Sequence, residues 1–573
     1  MSSTDPSLNI IPLGGLGEIG LNCLALEWAG QILVIDVGLM FPEDSRLGVE
    51  LVIPDFSYLI ERKDHILGII LTHGHEDHIG ALSYLLKEIQ APVFGTRLTL
   101  ALARERALEN YPGKVDFRGI KPLDTLTLGP FSLEFISVSH SIVDGVALAI
   151  TTPVGVVIHT GDFKLDLMAP SDNRLDLYKF AQYGEKGVLL LLSDSTNAEV
   201  PGQSKSESEV GRSLRDIFQK APGRVILACF ASSVARIRQV AQAAQATNRK
   251  LLFEGRSMVG NVQLAQELGY LEIPPNQIVN MMEADSLEDH ELAVVVTGSQ
   301  GEPLSALARM AAGEHRHIQA RSGDSIILSA RAIPGNERAI GHLVNQFHSQ
   351  GANVVDYRRH QIHASGHAQA EELKLMLNLT RPQYFTPIHG EYRHLARHAE
   401  LALEHGLAPE NIFILTDGQT LGLTLDRKAT LGEVVPTGRW YVDGDRLASP
   451  GDPVIKNRSR LAEMGLAVIT LVYGPKWIAG EPNLLAPPEA SLFGVHYETD
   501  PDLSLEAALE AKAVWDGFLE SRDRRPLSLD ERDYLVDLIK KAIRRLFKRS
   551  LRRKPLVHVQ LIEAYNPRNN WES

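Results

Sequence analysis

The sequence predicts an α/β protein with more than one domain, and three stretches support that prediction. The apolar run 66–71 is typical of a buried strand and ends in a loop rich in histidine. From about residue 206, short apolar strands alternate with amphipathic helices, which predicts a doubly wound parallel sheet covered on both faces. From residue 466, another strand and a long amphipathic helix predict a small C-terminal α/β domain.

The composition narrows the function classes. Of the 573 residues, 44% are apolar and 23% charged, as in ordinary globular proteins. Apolar runs fall well short of the ~20 residues that cross a membrane, and the first residues lack a signal-peptide pattern, so we expect a cytoplasmic enzyme without a membrane partner. Only Cys23 and Cys229 are present, so His, Asp or Glu must hold any metal. The net charge of −13 argues against wholesale coating by nucleic acid but permits a local basic channel.

A glycine-rich turn joins the first strands of the chain. Gly15, Gly17 and Gly20 match the GxGxxG fingerprint of dinucleotide sites, and Asp36 ends a following strand. That fingerprint must open a helix, whereas residues 21–28 alternate in polarity like a strand. We therefore favour tight-turn glycines beside a metal site over a nucleotide site.

The loop 72–78, Thr-His-Gly-His-Glu-Asp-His, gives the strongest chemical signal. Directly after the buried strand come His73, His75, Asp77 and His78. Neutral imidazole and carboxylate suit Zn²⁺ and Mn²⁺ alike, and ligands at this spacing can be divided between two neighbouring ions. The alternative, a loop of solvated histidines, is disfavoured by the spacing.

Four later strand ends carry side chains of the same types, namely His140, Asp162, Asp194 and His389. In alternating β/α chains the strand ends converge on a site, so these residues are candidates for the ligands that two ions still need. A lone histidine is usually only a polar residue, but His140 shares the strand-end context of the motif. Asp162 follows a glycine at a strand end, where a carboxylate can bridge two ions.

The segment 363–367, His-Ala-Ser-Gly-His, precedes an amphipathic helix. Small residues and a hydroxyl at a helix N-terminus make an anion site, and two imidazoles there fit a phosphate. The alternative is that Ser365 merely caps the helix and that His363 and His367 lie on the surface.

These changes of character predict five regions. They are the first part of a metal-site domain at 1–205, an inserted doubly wound domain at 206–358, the second part of the metal-site domain at 359–425, a linker rich in Pro and Gly at 426–465, and the C-terminal domain at 466–573.

The order HxHxDH, His, Asp resembles the metallo-β-lactamase superfamily. The insertion and the later histidines resemble its β-CASP nuclease branch, and essentially the whole chain resembles the ribonuclease J family of bacteria. The resemblance implies a metallo-β-lactamase αββα sandwich with an inserted doubly wound α/β β-CASP domain and the small C-terminal α/β domain. It also implies a binuclear site in which one ion is held by His73, His75 and His140, the second by Asp77, His78 and His389, and both by Asp162.

The resemblance further implies a metal-dependent ribonuclease, with 5′-to-3′ exonuclease and endonuclease activities, in RNA maturation and mRNA decay. A hydroxide that bridges two Zn²⁺ or Mn²⁺ ions would attack the phosphorus in line. We expect His367 to act as the acid, oriented by Asp194. The pocket expected for the 5′-monophosphate of single-stranded RNA comprises Ser232, Ser233, His363, Ala364, Ser365, Gly366 and His367.

The resemblance also implies protein partners and a third ion, mainly for the C-terminal part of the chain. The resemblance implies a homodimer or tetramer through the C-terminal domain, membership of an RNA-decay complex, and a calcium site at Gly48, Glu50 and Asp443. The last long helix has a basic face, typical of either a solvated surface or contact with an RNA backbone. Its cations, with those that follow it, are Lys540, Lys541, Arg544, Arg545, Lys548, Arg549, Arg552, Arg553 and Lys554.

Three other functions use the same residues. A lactonase or thioesterase would need the metals but not the inserted domain. A DNA-cleaving enzyme remains open, because metals and phosphate pockets do not contact the 2′-hydroxyl. A catalytically dead scaffold is disfavoured, because all seven expected ligands are present.

Overall fold

The computed structural model describes residues 6–42, 48–111, 113–170, 173–302, 304–331, 336–475, 482–495, 502–522 and 525–564. The chain divides into two compact units, Met1–Met40 with Val52–Arg439, and Phe41–Leu51 with Trp440–Ser573. Among the helices of the described residues, none combines the length and apolar character that crossing a bilayer requires.

The first unit begins with the strands of two large sheets. Its elements up to residue 194 are β1 (Leu8–Gly14), β2 (Leu16–Gly17), β3 (Cys23–Trp28), β4 (Gln31–Ile35), β5 (Leu51–Pro54), α1 (Ser57–Ile60), β6 (Ile66–Ile70), α2 (Glu76–Ile79), α3 (Leu82–Leu86), β7 (Val93–Gly95), α4 (Arg97–Asn110), β8 (Phe117–Gly119), β9 (Thr125–Leu128), β10 (Phe131–Ser137), β11 (Val146–Thr152), β12 (Gly155–His159), α5 (Leu177–Lys186) and β13 (Val188–Asp194).

The chain then alternates between helices and short strands. These elements are α6 (Glu207–Lys220), β14 (Val225–Ala228), α7 (Val234–Ala246), β15 (Lys250–Glu254), α8 (Arg256–Glu267), α9 (Met281–Ala284), β16 (Leu292–Val296), α10 (Ala306–Ala312), β17 (Ser325–Leu328), α11 (Glu337–Ser349) and β18 (Asn353–Val355).

The chain finally returns to the two large sheets. This part contains α12 (Ala370–Thr380), β19 (Tyr384–Ile388), β20 (Gly390–Glu391), α13 (Tyr392–Glu404), β21 (Gln419–Leu423), β22 (Ala429–Val434) and β23 (Arg439–Asp443).

Two sheets that share one core form the scaffold of the first unit. One has the strand order β22-β21-β1-β3-β4-β6-β7-β8, and the other has the order β19-β13-β12-β11-β10-β9. Strand β10 shows why they pack, because Phe131, Leu133 and Phe135 alternate with polar residues and enter the core together with Leu26 and Leu33 of the first sheet. Helices α5, α12 and α13 cover the outer face of the second sheet. The predicted sandwich is confirmed.

The inserted domain is built on a five-stranded sheet with the order β15-β16-β14-β17-β18. All its pairings are parallel. The strands are buried along their length, with Ile226, Val294 and Ile326 at 0% exposure, as expected for a sheet covered by helices on both faces. The predicted doubly wound insertion is therefore confirmed.

Three local expectations can be checked against the structure. The glycine motif opens no helix, since strand β3 follows it, so the structure supports the tight-turn interpretation. The helix after the segment 363–367 begins only at Ala370, with Gln369 as its N-cap, so Ser365 does not cap it and the argument from a helix N-terminus does not apply to that segment. The linker predicted over 426–465 is wrong, because strands β22 to β24 and helix α14 occupy it.

The second unit holds a small α/β fold. Besides part of β23, it contains β24 (Arg446–Ala448), α14 (Pro453–Met464), β25 (Leu466–Pro475), β26 (Pro482–Leu484), β27 (Glu489–Phe493), α15 (Leu503–Glu520), α16 (Leu529–Leu551) and β28 (Leu556–Glu563).

Strand β25 is the centre of this second fold. It pairs antiparallel with β26 and β27 and in parallel with β28. Helices α15 and α16 pack on the sheet around Trp515, whose side chain is 1% exposed. The predicted capping box of α16 is present, because Ser528 accepts from the backbone N–H of Glu531 and the Glu531 carboxylate accepts from that of Ser528. The predicted C-terminal α/β domain is confirmed.

Candidate metal centre

The ends of five strands and the loops after them converge on one cluster of imidazoles and carboxylates. Strand β6 leads into the loop 72–78, and β10, β12, β13 and β19 lead to the other four candidates. Three overlapping groups of potential metal ligands result, and the ligand atoms of each group lie within 4.8 Å of one another. The groups are His73, His75, His140 and Asp162; Asp77, His78, Asp162 and His389; and Asp162, Asp194, His367 and His389.

In the first group, three ring nitrogens face one another. His75 Nδ1 lies 3.1 Å from both His73 Nε2 and His140 Nε2. Asp162 Oδ2 lies 3.6 Å from His73 Nε2 and 3.7 Å from His140 Nε2. Two ligand atoms at ~2.1 Å from a tetrahedral ion lie roughly 3.4 Å apart, so these separations match the edges of one coordination shell.

The second group faces the same oxygen of Asp162 as the first group does. His78 Nε2 lies 3.4 Å from Asp162 Oδ2 and 3.6 Å from Asp77 Oδ2. His389 Nε2 lies 3.4 Å from Asp77 Oδ2 and makes no hydrogen bond within the described residues, although it is buried. A buried nitrogen without a hydrogen-bond partner fits a metal ligand, because buried polar atoms normally have a partner. Two nitrogens and two carboxylates suit a divalent ion.

One carboxylate fixes the orientation of a histidine in each group. His78 Nδ1 donates to Asp36 Oδ2 at 2.8 Å, so Nε2 carries the lone pair that would bind an ion; in this structure Asn22 Nδ2 lies 3.1 Å from that nitrogen. The hydroxyl of Thr72 also donates to Asp36 Oδ2 (2.8 Å), and therefore accepts from His73 Nδ1 (3.1 Å). Asp36 thus sets the tautomer of both rings from the second shell of ligands. Its position at the end of β4, beside β6, was the only sequence signal for this role.

Two of the residues that position the site have left-handed backbone conformations. Asp36 has a φ of 59° and His389 a φ of 54°. Asp and His enter this region more readily than most residues, but the conformation still costs free energy and persists only where the surroundings enforce it. For His389, the pairing of Gly390 with Leu16 and the hydrogen bond from Nδ1 to Asp162 Oδ1 (2.8 Å) supply that constraint.

Burial and neighbouring charges split the histidines into two classes. Burial and nearby imidazoles hold the pKa of His73 and of His140 well below the ordinary value, and burial lowers the pKa of His75 to about 4. Burial also acts on His389, but the carboxylate of Asp162 outweighs it and raises the pKa to about 10. The first three rings are therefore neutral, which is the form that binds a metal.

Asp194 and His367 form a pair at the edge of the cluster. His367 Nδ1 lies 2.9 Å from Asp194 Oδ2, while Asp194 Oδ1 accepts from the backbone and hydroxyl of Thr196. The His367 side chain is 21% exposed, whereas that of Asp194 is 1% exposed. Burial lowers the pKa of His367, but the charges of Asp194 and Asp162 outweigh it and raise the pKa above the ordinary value. A protonated imidazole held at the edge of a cluster can donate a proton.

Family models match most of the chain. The one described as Metallo-beta-lactamase superfamily matches residues 21–200, and the one described as Ribonuclease J, beta-CASP domain matches residues 222–347. A third, described as Zn-dependent metallo-hydrolase RNA specificity domain, matches residues 354–415. A ribonuclease J from Synechocystis sp. is 40% identical over 565 residues, which cover 97% of this chain and 86% of that protein. The chain belongs to the ribonuclease J family.

Other comparisons agree with membership of the ribonuclease J family. A ribonuclease J from Helicobacter pylori is 44% identical over 470 residues, 81% of this chain and 68% of that protein. One from Thermus thermophilus is 43% identical over 477 residues, 82% of each. The crystal structure of a protein of unknown function from Enterococcus faecalis V583 matches 73% of this chain and 100% of its own, with a TM-score of 0.53 and 16% identity, which shows a shared fold.

In this member of the ribonuclease J family, the segment 363–367 runs beside the cluster as a loop. His140 Nδ1 donates to the carbonyl of Gly366 at 2.7 Å. Asn197 Nδ2 donates to Ser365 Oγ at 2.6 Å and to the carbonyl of His367 at 3.1 Å. The structure therefore places this segment, with Ala364 buried within it, against the proposed ligands.

Helix α7 carries the other part of the predicted phosphate pocket. Ser233 is its N-cap, but the hydroxyl makes no capping hydrogen bond, and Ser232 precedes it in a turn. One turn into the helix, the buried Arg236 donates to the carbonyl of Ile362 at 2.7 Å. This hydrogen bond ties α7 to the residue before His363, so the structure brings the two parts of the pocket to one region.

Two buried cations near this segment, Lys164 and Arg236, are not predicted from the sequence. Lys164 is 0% exposed, and its Nζ lies 3.6 Å from Glu207 Oε1 without a hydrogen-bond partner among the described residues. Arg236 donates to the other oxygen of Glu207 at 2.9 Å. Burial, with added effects of Arg236 and Lys164, lowers the pKa of His363 to about 3. One carboxylate thus faces two cations, an excess of positive charge that an incoming anion would offset.

The residues of the predicted calcium site lie in the second unit. The guanidinium of Arg458 is 2.9 Å from Asp443 Oδ2 and 3.4 Å from the carbonyl oxygen of Gly48. The N–H of Glu50 donates to a backbone carbonyl of β23. The carboxylates at residues 43–47 lie outside the described residues. A calcium ion would have to displace Arg458, and this site stays a prediction.

Gly366 offers a test of how closely the loop must approach His140. A Cβ at Gly366 would lie 2.6 Å from His140 Cε1, closer than atoms can pack. We expect Gly366→Ala to displace the His140 ring and lower metal affinity about 10–100-fold, as does the loss of a residue that orients a metal ligand. Metal titration followed by calorimetry measures this. Gly260→Ala is the control, because a Cβ there meets nothing within 4 Å; equal affinities in the two variants would contradict the account.

A pair of carboxyl groups, the buried Glu18 and the half-buried Asp417, supports the strand next to His389. Asp417 accepts from the backbone N–H of Leu16 at 3.1 Å, and Glu18 beside it forms an ion pair with Arg439. Burial, followed by the charge of Glu18, raises the pKa of Asp417 to about 7. The folded chain therefore holds this proton more tightly than the unfolded chain does. The resulting stability is full below the unfolded pKa, ~3.9, and is lost as the pH rises through about 7.

Asp417→Asn removes this titration while keeping the amide oxygen as acceptor for Leu16. We expect the free energy of unfolding of the parent chain to fall relative to that of the variant between pH 5 and 8, by on the order of 3 kcal/mol. Urea unfolding at a series of pH values measures the difference. Asp426→Asn is the control, since that aspartate is exposed and its pKa is lowered by Lys428; a pH-independent difference between the parent and Asp417→Asn would refute the assignment.

Proposed function

We propose that this chain is a metal-dependent ribonuclease that degrades single-stranded RNA from its 5′ end and also cuts internally, in RNA maturation and mRNA decay. The observation that carries the proposal is that Asp162 belongs to both principal donor groups, so that one carboxylate can hold two ions at a single phosphodiester. The matched relatives, which are named ribonuclease J, support RNA as the substrate.

The chain's own donors divide between the two ions in this proposal. His73, His75 and His140 hold the first, Asp77, His78 and His389 hold the second, and Asp162 holds both. When bound, Zn²⁺ or Mn²⁺ ions supply Lewis-acid polarisation of the scissile phosphate and lower the pKa of water. Most of these donors are buried, which limits the access of bulk solvent and strengthens the interactions between their charges and the phosphate.

His367 is the proton donor in this proposal. Its Nδ1 is held by Asp194 at 2.9 Å, so Nε2 is the nitrogen that can protonate the leaving 3′-oxygen. Asp194 positions the ring and stabilises its charged form. Protonation of the 3′-oxygen leaves a 5′-phosphate on the downstream RNA. Each product therefore presents the same end group as the substrate, which allows successive rounds.

The 5′-monophosphate is proposed to bind between α7 and the segment 363–367. Ser232, Ser233 and Ser365 provide hydroxyl groups, and the backbone N–H groups at the start of α7 favour an anion. Lys164 and Arg236 add the unbalanced positive charge described above. A terminal triphosphate is too large and too highly charged for a pocket that positions one phosphate at a fixed distance from the metals.

The test is cleavage of one labelled single-stranded oligonucleotide with added Mn²⁺ or Zn²⁺. The strand is supplied as 5′-monophosphate RNA, 5′-triphosphate RNA and matched 5′-monophosphate DNA. We expect mononucleotides mainly from the monophosphorylated RNA. Equal cleavage of the DNA would make the chain a nuclease without sugar selectivity. Absence of cleavage of any strand would refute the proposal and favour hydrolysis of small esters.

Lys164→Met tests the charge balance of the phosphate pocket. The substitution keeps the volume of the buried side chain but leaves Glu207 with Arg236 alone. We expect the KM for 5′-monophosphate RNA to rise ~10-fold or more, since hydrogen bonds to charged groups contribute ~1.5–3 kcal/mol, while 5′-hydroxyl RNA is unaffected. Steady-state kinetics on both RNAs measure this. Lys179→Met, which removes a lysine paired with Glu134, is the control; equal losses on both RNAs would count against the pocket.

The remaining organisation is also a proposal. We propose the domain bounds 1–205, 206–358, 359–425 and 466–573, with a structured connection in place of the linker. We propose self-association through the C-terminal domain as a homodimer or tetramer, and association with an RNA-decay complex. Light scattering of the full chain and of a chain ending at residue 465 tests the self-association. A monomeric mass for both chains would exclude it.

A further inference from the structure

The second unit contains a cavity of about 380 Å³ that is lined by cations. Its lining residues come from three neighbouring segments of that unit: helix α14, helix α16 and the turn before β28. They are Arg460, Arg544, Arg545, Lys548 and Lys554. The described lining includes no carboxylate. The cavity therefore gathers five positive charges in a chain whose net charge is −13.

These five cations lack the carboxylate partners that other basic residues of the unit have. In the part of the chain that the structure describes, no ion pair links any of the five to an Asp or Glu. By contrast, Lys512 pairs with Asp516 at 2.5 Å, and Arg525 pairs with Glu531 at 2.9 Å. The cavity is therefore cationic, because no carboxylate of the described residues neutralises its lining.

The arrangement on α16 opposes the stability of the helix. Arg544 and Lys548 stand at i and i+4, and Arg545 and Lys548 at i and i+3, spacings at which like charges destabilise a helix by about 0.2–0.5 kcal/mol per pair. The helix dipole favours cations only in the last turn, so it accounts for Lys548 but not for Arg544. A ligand of opposite charge would offset this repulsion.

The lining chemistry selects phosphate. Three guanidinium groups can each bind two oxygens of one phosphate, and two ammonium groups add point charges. The described lining residues include no aromatic side chain that could stack on a base and no aliphatic hydrophobic residue. In a nuclease of net charge −13, such a concentration of positive charge would bind the backbone of the substrate.

We propose that this cavity is a second RNA-binding site that holds the phosphodiester backbone away from the metal centre, without reading base sequence. The proposal rests on the ribonuclease function proposed above, and it adds a contact that raises affinity rather than the rate of the chemical step. In this proposal, Arg460 and Lys554 extend the basic face of α16 into an open cleft.

The test measures, by fluorescence anisotropy, the binding of a cleavage-resistant phosphorothioate single-stranded RNA to the metal-loaded full chain. The measurement is repeated over a range of salt concentrations. The variant is Arg544→Ala with Lys548→Ala, both exposed positions at which alanine favours the helix. We expect affinity to fall about tenfold at physiological salt, and the slope of log K against log salt to fall by about 1.4 for two lost phosphate contacts. At saturating RNA, the kcat for cleavage is unchanged.

The control is Lys512→Ala with Arg525→Ala, which removes two paired cations of the same unit. Equal losses of RNA affinity in both double variants would show that only the total charge of the chain matters, and would overturn the proposed site. Unchanged RNA binding together with an altered oligomeric mass would assign the cavity to a protein contact. Binding of inorganic phosphate to the parent chain but not to the cavity variant, with RNA affinity unchanged, would assign it to a free anion. If the parent chain neither binds nor cleaves RNA, the ribonuclease proposal itself fails.

Discussion

Replacing Asp162 with asparagine should abolish both RNA cleavage and the binding of two ions. The carboxylate is 3% exposed and is the one residue shared by all three groups of potential ligands among the described residues. Its Oδ2 lies 3.4 Å from His78 Nε2, and its Oδ1 lies 2.8 Å from His389 Nδ1. An amide keeps the shape but offers a single neutral oxygen, which cannot join two cations.

We expect kcat/KM to fall by on the order of 10³-fold or more, and the metal content to fall below two ions per chain. Elemental analysis after dialysis, together with RNA cleavage, measures both. Burial opposes ionisation of Asp162, but His389 and His78 hold its pKa well below the ordinary value, so the variant also leaves buried imidazolium groups without a counter-charge. Loss of one partner of a buried pair costs about 3–5 kcal/mol, so the unfolding temperature should drop.

Asp324→Asn separates the two effects of the Asp162 substitution. Asp324 is also a buried aspartate, 1% exposed, but it pairs with Arg224 in the inserted domain at 2.7 Å. We expect this control to lose stability while keeping both ions and its activity. A fully active, two-ion Asp162→Asn chain would contradict the assignment of Asp162 as the bridge.

Replacing His367 with asparagine should remove the proton donor while leaving the metals in place. The ring is 21% exposed at the edge of the cluster, and Asp194 holds it through Nδ1. General acid catalysis contributes ~10²–10⁴-fold, so kcat should fall by that factor with little change in KM. The acid works only when protonated. In the parent chain, activity should therefore be lost as the pH rises through the raised pKa of His367, and this limb of the pH profile should be absent in the variant.

Metal content decides between two roles for His367, because its ring also belongs to the third donor group. Two ions retained in the variant support an acid, whereas one ion would make His367 a ligand. His315→Asn is the control, since His315 is likewise a buried histidine beside a carboxylate, 3.5 Å from Glu254, but lies in the inserted domain. An unaltered pH profile in His367→Asn would remove His367 from the reaction.

Local patterns in the sequence were sufficient for much of the fold and for the candidate ligands. The motif from His73 to His78 is contiguous and follows a strongly apolar strand, so both its chemistry and its place at a strand end could be predicted. The later candidates, such as Asp162 and His389, also end strands, and strand ends are visible as breaks in apolar runs. The structure brings these residues together within hydrogen-bonding or near-contact distances.

Residues that act on those ligands from a distance in sequence were not predictable in the same way. Asp36 orients His78, which lies 42 positions later, and no spacing rule links the two. Lys164 approaches Glu207 only because the inserted domain packs on the sandwich, and Arg236 reaches Glu207 from the next helix of the inserted domain. Asp36 also fits the acidic position of a nucleotide fingerprint, since a carboxylate at a strand end looks the same in both contexts.

Two errors came from treating turn-forming residues as decisive. Pro and Gly between 426 and 465 suggested a linker, but these residues lie at the ends of the short strands β22 to β24 and at the start of helix α14. Pro453 stands at the first position of α14, where its missing N–H costs nothing. The segment before α12 was placed too close to the helix, because Gln369 rather than Ser365 forms the capping box with Glu372.

The most direct test of the central claim is a titration of the metal-stripped chain with Mn²⁺ or Zn²⁺, in which bound ions and cleavage of 5′-monophosphate RNA are measured on the same samples. The account predicts an inactive stripped chain, two ions bound at saturation, and activity that follows occupancy of the second ion. Full activity in the stripped chain, or full activity with a single bound ion, would contradict a binuclear centre bridged by Asp162.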